Sequence, residues 1–179
     1  MTGPDAITPG YLVVRADGGE YLGGLMVTDR DGLPLDFRYT DPVTPTRLQR
    51  ALYGRVLDRY LRGQLLLGTL LGALEARPSL LIVDDRDLVD EDPGVPVAFA
   101  EATGLDPLGE VGARKDEGES GTLLQTGAAR SPLRVMSSSG ADEALAAALV
   151  ALSERIDVLE PAERVRTALD VIASGGAEE

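Results

Sequence analysis

Apolar and polar positions alternate with a period of two over the first forty or so residues, and with a period of three to four after that. Tyr11–Ala16 is apolar and β-prone. Asp17-Gly18-Gly19 is a tight-turn signal, because glycine accepts positive φ without a steric cost. Tyr21–Asp29 reads as a second strand, with Gly23-Gly24 marking a bulge or a close backbone approach. Asp31-Gly32 is the next turn. Leu33, Leu35, Phe37 and Tyr39 then share one face of a third strand, opposite Pro34, Asp36, Arg38 and Thr40. Three strands on short turns make an antiparallel meander.

Asp41–Pro45 stops the sheet, with Thr44 as the expected helix cap and Pro45 in the first helical turn. Leu48, Leu52, Val56, Tyr60, Gln64, Leu67, Leu71 and Leu74 recur at helical spacing. An unbroken helix over 46–76 would be about 46 Å long. That exceeds the roughly 40 Å width of a globule of this size, so a bend is expected at Gly63. Gly68 and Gly72 would let the helix sit close on the sheet, and Pro78 ends it. Ser79–Val83 reads as an interior strand and Val95–Ala100 as another. Residues 105–121 form an exposed loop rich in Gly and acid. Thr122–Thr126 and Leu133–Ser138 pair as a hairpin. Helices follow over Ala141–Leu159 and from Pro161, where Val165, Leu169 and Ile172 form the stripe.

 The predicted fold class is thus α/β in the α+β sense: a meander, a long helix, and a mixed sheet with the C-terminal helices packed on it. One domain is expected over 11–174, between a flexible 1–10 and a frayed 175–179.

Composition narrows the chemistry. The 179 residues contain no His, Cys or Trp, so disulfides, thiolate catalysis, zinc ribbons and His-based nucleophile activation are all absent. Lys115 is the only lysine among 17 bases, and it lies in the charged loop, where nothing desolvates it. The 30 acids leave a net charge of −13, a surface that repels phosphate unless a basic patch or bound cations intervene. The apolar run Leu65–Leu74 is too short to span a bilayer, and no signal peptide is read at the amino end. The expectation is a cytoplasmic protein without membrane contact, for which nucleic acid is an unfavourable partner.

Gly23-Gly24-Leu25-Met26-Val27-Thr28-Asp29, Gly32 to Thr40, and Leu52-Tyr53-Gly54 resemble a set of uncharacterised bacterial proteins. That resemblance covers roughly the first half of the chain and implies no activity. The fragment Val27-Thr28-Asp29-Arg30-Asp31-Gly32-Leu33 is similar to the hairpin of roadblock and longin domains, modules that partner GTPases, although the helix that precedes such a hairpin is missing here. A meander, a helix and a strand ending in Asp also resembles the opening order of the RNase H-like nucleases. In those, carboxylates on adjacent strands hold two metals that drive phosphodiester hydrolysis.

The acids Asp84, Asp85, Asp87, Asp90, Glu91 and Asp92 follow a buried strand, where sites gather in open α/β sheets. Clustered carboxylates suit Mg²⁺ or Mn²⁺. Asp84 and Asp85, joined by Asp17 at the end of the first strand, are the candidate metal ligands. Asp17 is also explained by its turn, and the spacing lacks the glycine and glutamate of a calcium loop. Ser137-Ser138-Ser139-Gly140 precedes a helix and reads as a cap, served by Ser138 or Ser139. Arg47, Arg50, Arg55, Arg59 and Arg62 form the one basic stripe, a docking face for an acidic protein partner.

The main expectation from these features is a non-catalytic interaction module, a subunit or adaptor of a bacterial complex, using no cofactor and able to pair with a second copy. The alternative is a Mg²⁺- or Mn²⁺-dependent phosphoesterase or nuclease of RNase H-like form. A GTPase-associated module of roadblock or longin kind is the third.

Overall fold

A computed structural model describes residues 7–138, 140 and 142–176. The sequence folds into an eight-stranded sheet of order β3-β2-β1-β4-β5-β8-β7-β6. The strands are β1 (Pro9–Asp17), β2 (Glu20–Thr28), β3 (Pro34–Tyr39), β4 (Leu80–Val83), β5 (Val97–Ala102), β6 (Arg114–Asp116), β7 (Thr122–Leu124) and β8 (Leu133–Met136). The meander β1–β2–β3 is antiparallel, as its turn residues require. β1, β4 and β5 run parallel, and the antiparallel strands β8, β7 and β6 complete the sheet. The α+β class and the mixed sheet agree with the sequence pattern.

Helices cover both faces. On one lie α4 (Glu143–Ser153) and α5 (Glu160–Ala173); Leu149, Val165 and Leu169 pack there against Tyr11, Val13, Ile82 and Ala98. On the other lies the segment after the meander, whose Leu57, Leu61, Leu66, Leu67 and Leu70 pack against Leu12, Leu25, Leu81 and Phe99. Burial on both faces explains why β4 reads as an unbroken apolar run.

That segment is not one long helix. It runs as α1 (Arg47–Tyr53), a 3₁₀ turn at Gly54–Val56, α2 (Leu57–Arg59), a π-helical stretch at Tyr60–Leu66 and α3 (Leu67–Ala73). The break falls first at Gly54, whose φ of 52° ends α1, and the π-helical stretch contains Gly63, the expected bend. The change of phase leaves Leu48, Leu52 and Val56 exposed instead of in the core. The cap is Thr46, not Thr44: its hydroxyl accepts from the Gln49 amide while the Gln49 side chain accepts from the Thr46 amide.

The close approach expected at Gly23-Gly24 is present on the sheet, and the one expected at Gly68 and Gly72 on the helix is not. Gly68 and Gly72 face open space, whereas a Cβ on Gly24 would meet Val165 and Leu169 at 3.0 Å, and one on Gly23 would meet Leu70 at 3.1 Å. Leu33, Leu35 and Tyr39 are exposed because β3 is an edge strand that no helix covers on that side; Phe37 alone of that face packs on the core. β1 takes in Pro9 and Gly10, which the sequence placed in the flexible end, and the expected loop holds β6 and a 3₁₀ turn. Asp142 caps α4 by accepting from the Leu145 amide, which removes Ser138 from that role; Ser139 lies outside the described residues. Among the described residues no helix is long and apolar enough to cross a membrane.

Candidate active site

The parallel strands β1, β4 and β5 present their carboxyl ends together, and the acids after Val83 start there. Strand alternation decides where each one goes. Leu80 and Ile82 face the α4–α5 layer, so Asp84, next in phase, faces it too. Leu81 and Val83 face the other layer, and Asp85 follows them. The two neighbours therefore project from opposite sides of the strand end.

Each meets an arginine. Arg166 of α5 donates to Asp84 Oδ2 at 2.7 Å, and its other terminal nitrogen bonds Glu163 one turn back. Arg62, on the π-helical stretch, reaches Asp85 at 2.5 Å and Asp58 at 3.0 Å. Asp58 in turn accepts from the Tyr21 hydroxyl at 2.8 Å. Asp85 also accepts from the Asp87 amide, which holds the turn after β4. Further along the same edge Glu101 binds both Arg134 (2.8 Å) and Arg86 (2.9 Å), and the Arg86 guanidinium lies 5.1 Å from the centre of the Phe99 ring.

Two clefts flank the end of β4. One, of about 290 Å³, lies under α5 and is walled by Ile82, Phe99, Leu159 and Ala162, with Asp84, Glu101, Glu163 and Arg166 as its polar groups. The other, of about 430 Å³, is lined by Val14, Arg62, Asp84, Asp85, Arg86 and Phe99. Asp84 belongs to both.

Burial shapes the charges. Desolvation raises the Asp84 pKa above the ordinary carboxylate range, and the bond from Arg166 only partly opposes it. Its Oδ1 is buried with no hydrogen-bond partner. Burial pulls the Arg62 guanidinium down, but Asp58 and Asp85 outweigh it and raise it overall. Arg134 holds Glu101 below its usual range, against a smaller effect of burial and with help from Arg86.

The expected set of Asp17, Asp84 and Asp85 does not gather. The β1–β4 register pairs Leu12 with Val83, so its continuation sets Val13 beside Asp84. Asp17 lies four residues further, roughly 13 Å along the strand, opposite Glu20 in the β1–β2 turn. Gly18 and Gly19 both have positive φ there, which is the turn chemistry that accounts for Asp17. Among the described residues no group of three or more acids is placed to hold a metal.

The arginine stripe is not one face either. Arg50 donates to the Gly19 carbonyl, Arg59 pairs with Glu91, and Arg62 turns into the site. Arg47 and Arg55 lie exposed on either side of the break at Gly54. Sequence reading did not single out Arg166, Glu163, Arg86, Glu101 or Arg134. Only the apolar stripe of α5 pointed that way, by setting which side of that helix faces the sheet.

The fold is a three-strand meander followed by parallel strands that end in acid. Solved structures of Endonuclease V are similar to it. That from Streptomyces avermitilis matches with a TM-score of 0.63 and 16% identity, over 97% of this chain and 84% of that one. That from Bacillus subtilis matches with a TM-score of 0.59 and 15% identity, over 95% and 81%. Endonuclease V from Ciona intestinalis, solved in complex with a 23mer DNA containing an inosine followed by a ribo-adenosine, matches with a TM-score of 0.58 and 11% identity, over 94% and 87%. At these identities the likeness is one of fold. No protein-family profile and no curated protein matches the chain.

This likeness corrects the main expectation. The expectation of a non-catalytic adaptor docking on an acidic protein is set aside, because 97% and 95% of the chain shares its fold with endonucleases, a finding that fits the nuclease alternative better. The exclusion of nucleic acid on net charge does not stand, since one structure of this fold holds DNA. The physical reason is that a net charge averages over the surface, while Arg62, Arg86, Arg134 and Arg166 concentrate at one strand edge. The expectation of no cofactor, which rested on the adaptor reading, falls with it.

Proposed function

We propose that this chain is a cytoplasmic phosphodiesterase that acts on nucleic acid with a divalent cation, Mg²⁺ or Mn²⁺, at the carboxyl end of β4. The observation that carries the reading is Asp84: a half-buried carboxylate with an unpartnered Oδ1, at the strand end where this fold presents its acids. A metal pair caged by protein carboxylates does not fit, because Asp17 and Asp85 point elsewhere. One cation does fit. Mg²⁺ keeps much of its water and is held through one or two carboxylates together with substrate phosphates.

Asp84 would be the anchor, with Glu163 beside it on α5. A cation held there would polarise a phosphoryl oxygen and lower the pKa of bound water. The chain's own residues do the rest. Arg62 and Arg86 line the cleft on the far side of the strand end and attract the phosphate backbone. Phe99 and Val14 form its apolar wall. Cation binding needs ionised Asp84, so it weakens as pH falls through the raised pKa of that group.

The test is incubation of the purified protein with end-labelled single- and double-stranded DNA and RNA, in Mg²⁺, in Mn²⁺ and in EDTA. Strands should shorten only with a cation, and the Asp84→Asn variant should leave them intact. Whole strands under every condition, with no mobility shift in a gel, would sink the reading.

A further inference from the structure

We infer that Arg166 is the resident counter-ion of this site: its guanidinium and a divalent cation are alternative occupants of Asp84, and the cation enters as Arg166 leaves. The inference rests on the cation reading of Asp84 given above. Arg166 bridges two carboxylates, Asp84 at 2.7 Å through one terminal nitrogen and Glu163 through the other. It therefore stands between two of the three acids that line this cleft, as a shared cation would; the third, Glu101, is held by Arg86 and Arg134. A guanidinium cannot shed its proton in a protein, so it cannot make room by becoming neutral. A second positive centre on the same carboxylate would lie within hydrogen-bond reach of the first, in a half-buried setting where like charges are poorly screened.

The arginine is free to go. Its side chain is 37% exposed, against 23% for Asp84, so the guanidinium can reach water while the carboxylate stays where it is. Asp84 shares its charge unevenly meanwhile: Oδ2 carries the arginine, and Oδ1 has no partner. One monovalent counter-ion thus leaves a buried carboxylate oxygen unsatisfied, a deficit that a divalent ion with its waters would fill. Without the cation, the arginine keeps the strand end from holding a bare buried charge.

Calorimetric titration with Mn²⁺ alone, without nucleic acid, tests this on the wild type, Arg166→Gln and Asp84→Asn. Removing the competing charge should tighten Mn²⁺ binding by roughly tenfold, and Asp84→Asn should abolish it. Equal affinity in the wild type and Arg166→Gln, with Asp84→Asn silent, would overturn the exchange and leave the cation reading of Asp84 standing. No heat in any of the three proteins would overturn both. A second measurement needs no folded variant: the Arg166 guanidinium NMR signal of the wild type should shift as Mg²⁺ is added and saturate with the site. A signal that stays unmoved while Mg²⁺ binds would overturn the exchange.

Discussion

Asp36 on β3 accepts from the amides of Glu75 and Ala76 at 2.7 and 3.2 Å and pairs with Arg38 at 3.0 Å. Desolvation pushes its pKa up, but those amides and the guanidinium outweigh it and leave the pKa lowered. A carboxylate with a lowered folded pKa stabilises the fold above its unfolded value, and that contribution is lost as pH falls through the folded value. Asp36→Ala should therefore cost about 2 kcal/mol at pH 7, the scale of hydrogen bonds to a charged acceptor. The gap from wild type should narrow below about pH 4, the unfolded carboxylate range. Urea denaturation at pH 7 and pH 3 reads both; a gap that keeps its size at pH 3 refutes the account. Residues differ in how far the sequence reveals such roles. Asp84 was legible, because an acid directly after a buried strand has few places to go. Arg166 was not, since Glu163 and Arg166 three apart read as a surface pair, and only the packing of α5 brings Arg166 over β4. Gln125 is fully buried, accepts from the Leu108 amide and donates to the carbonyls of Gly127 and Arg130. Nothing in the hairpin pattern distinguishes it from a neighbour.

Among the elements, the π-helical stretch Tyr60–Leu66 sets Arg62 on the site, and Gly63 is the residue that admits it. A Cβ there would stand 2.5 Å from the Glu91 carboxyl, which is nearly buried and held by Arg59 at 3.2 Å. Alanine favours a helix over glycine by about 1 kcal/mol, yet the crowding costs roughly 1–3 kcal/mol. Gly63→Ala should thus lower the melting temperature, and adding Glu91→Ala should restore it. A single variant that melts higher than wild type would contradict this. The strands and their turns were readable because period two and Asp-Gly or Gly-Gly signals are local. The long helix was readable in extent but not in phase: each half keeps helical spacing, and the break at Gly54 turns the first apolar stripe to solvent. Of the two glycine pairs that suggest a close approach, only the one on the strand makes it. Glycines four apart on a helix suggest a packing stripe, but Gly23 and Gly24 sit on a central strand covered from both sides, so a glycine pair there serves α3 on one face and α5 on the other.

At the scale of the whole molecule, a net charge of −13 and the nucleic-acid substrate proposed above pull against each other. Most proteins that bind nucleic acid carry a basic face, and added divalent salt competes with them for phosphate. Here the long-range field is repulsive, and attractive charge gathers in the arginines at the carboxyl ends of β4 and β5, each already paired to an acid. A cation at Asp84 would cancel part of the local negative charge and bind phosphate directly, so it should promote association instead of weakening it. Fluorescence anisotropy with a labelled oligonucleotide at constant ionic strength should therefore give weak binding in EDTA. Affinity should rise as Ca²⁺, used here to limit cleavage, is added, and then level off. In Asp84→Asn the rise should vanish while the weak baseline remains, because Arg62 and Arg86 are untouched. An affinity that falls steadily with Ca²⁺ in the wild type would mean that the arginines alone bind phosphate and that the cation has no part in it. Topology left this balance out of reach of the sequence: composition records how many charges there are, and only the parallel pairing of β1, β4 and β5 decides which of them meet.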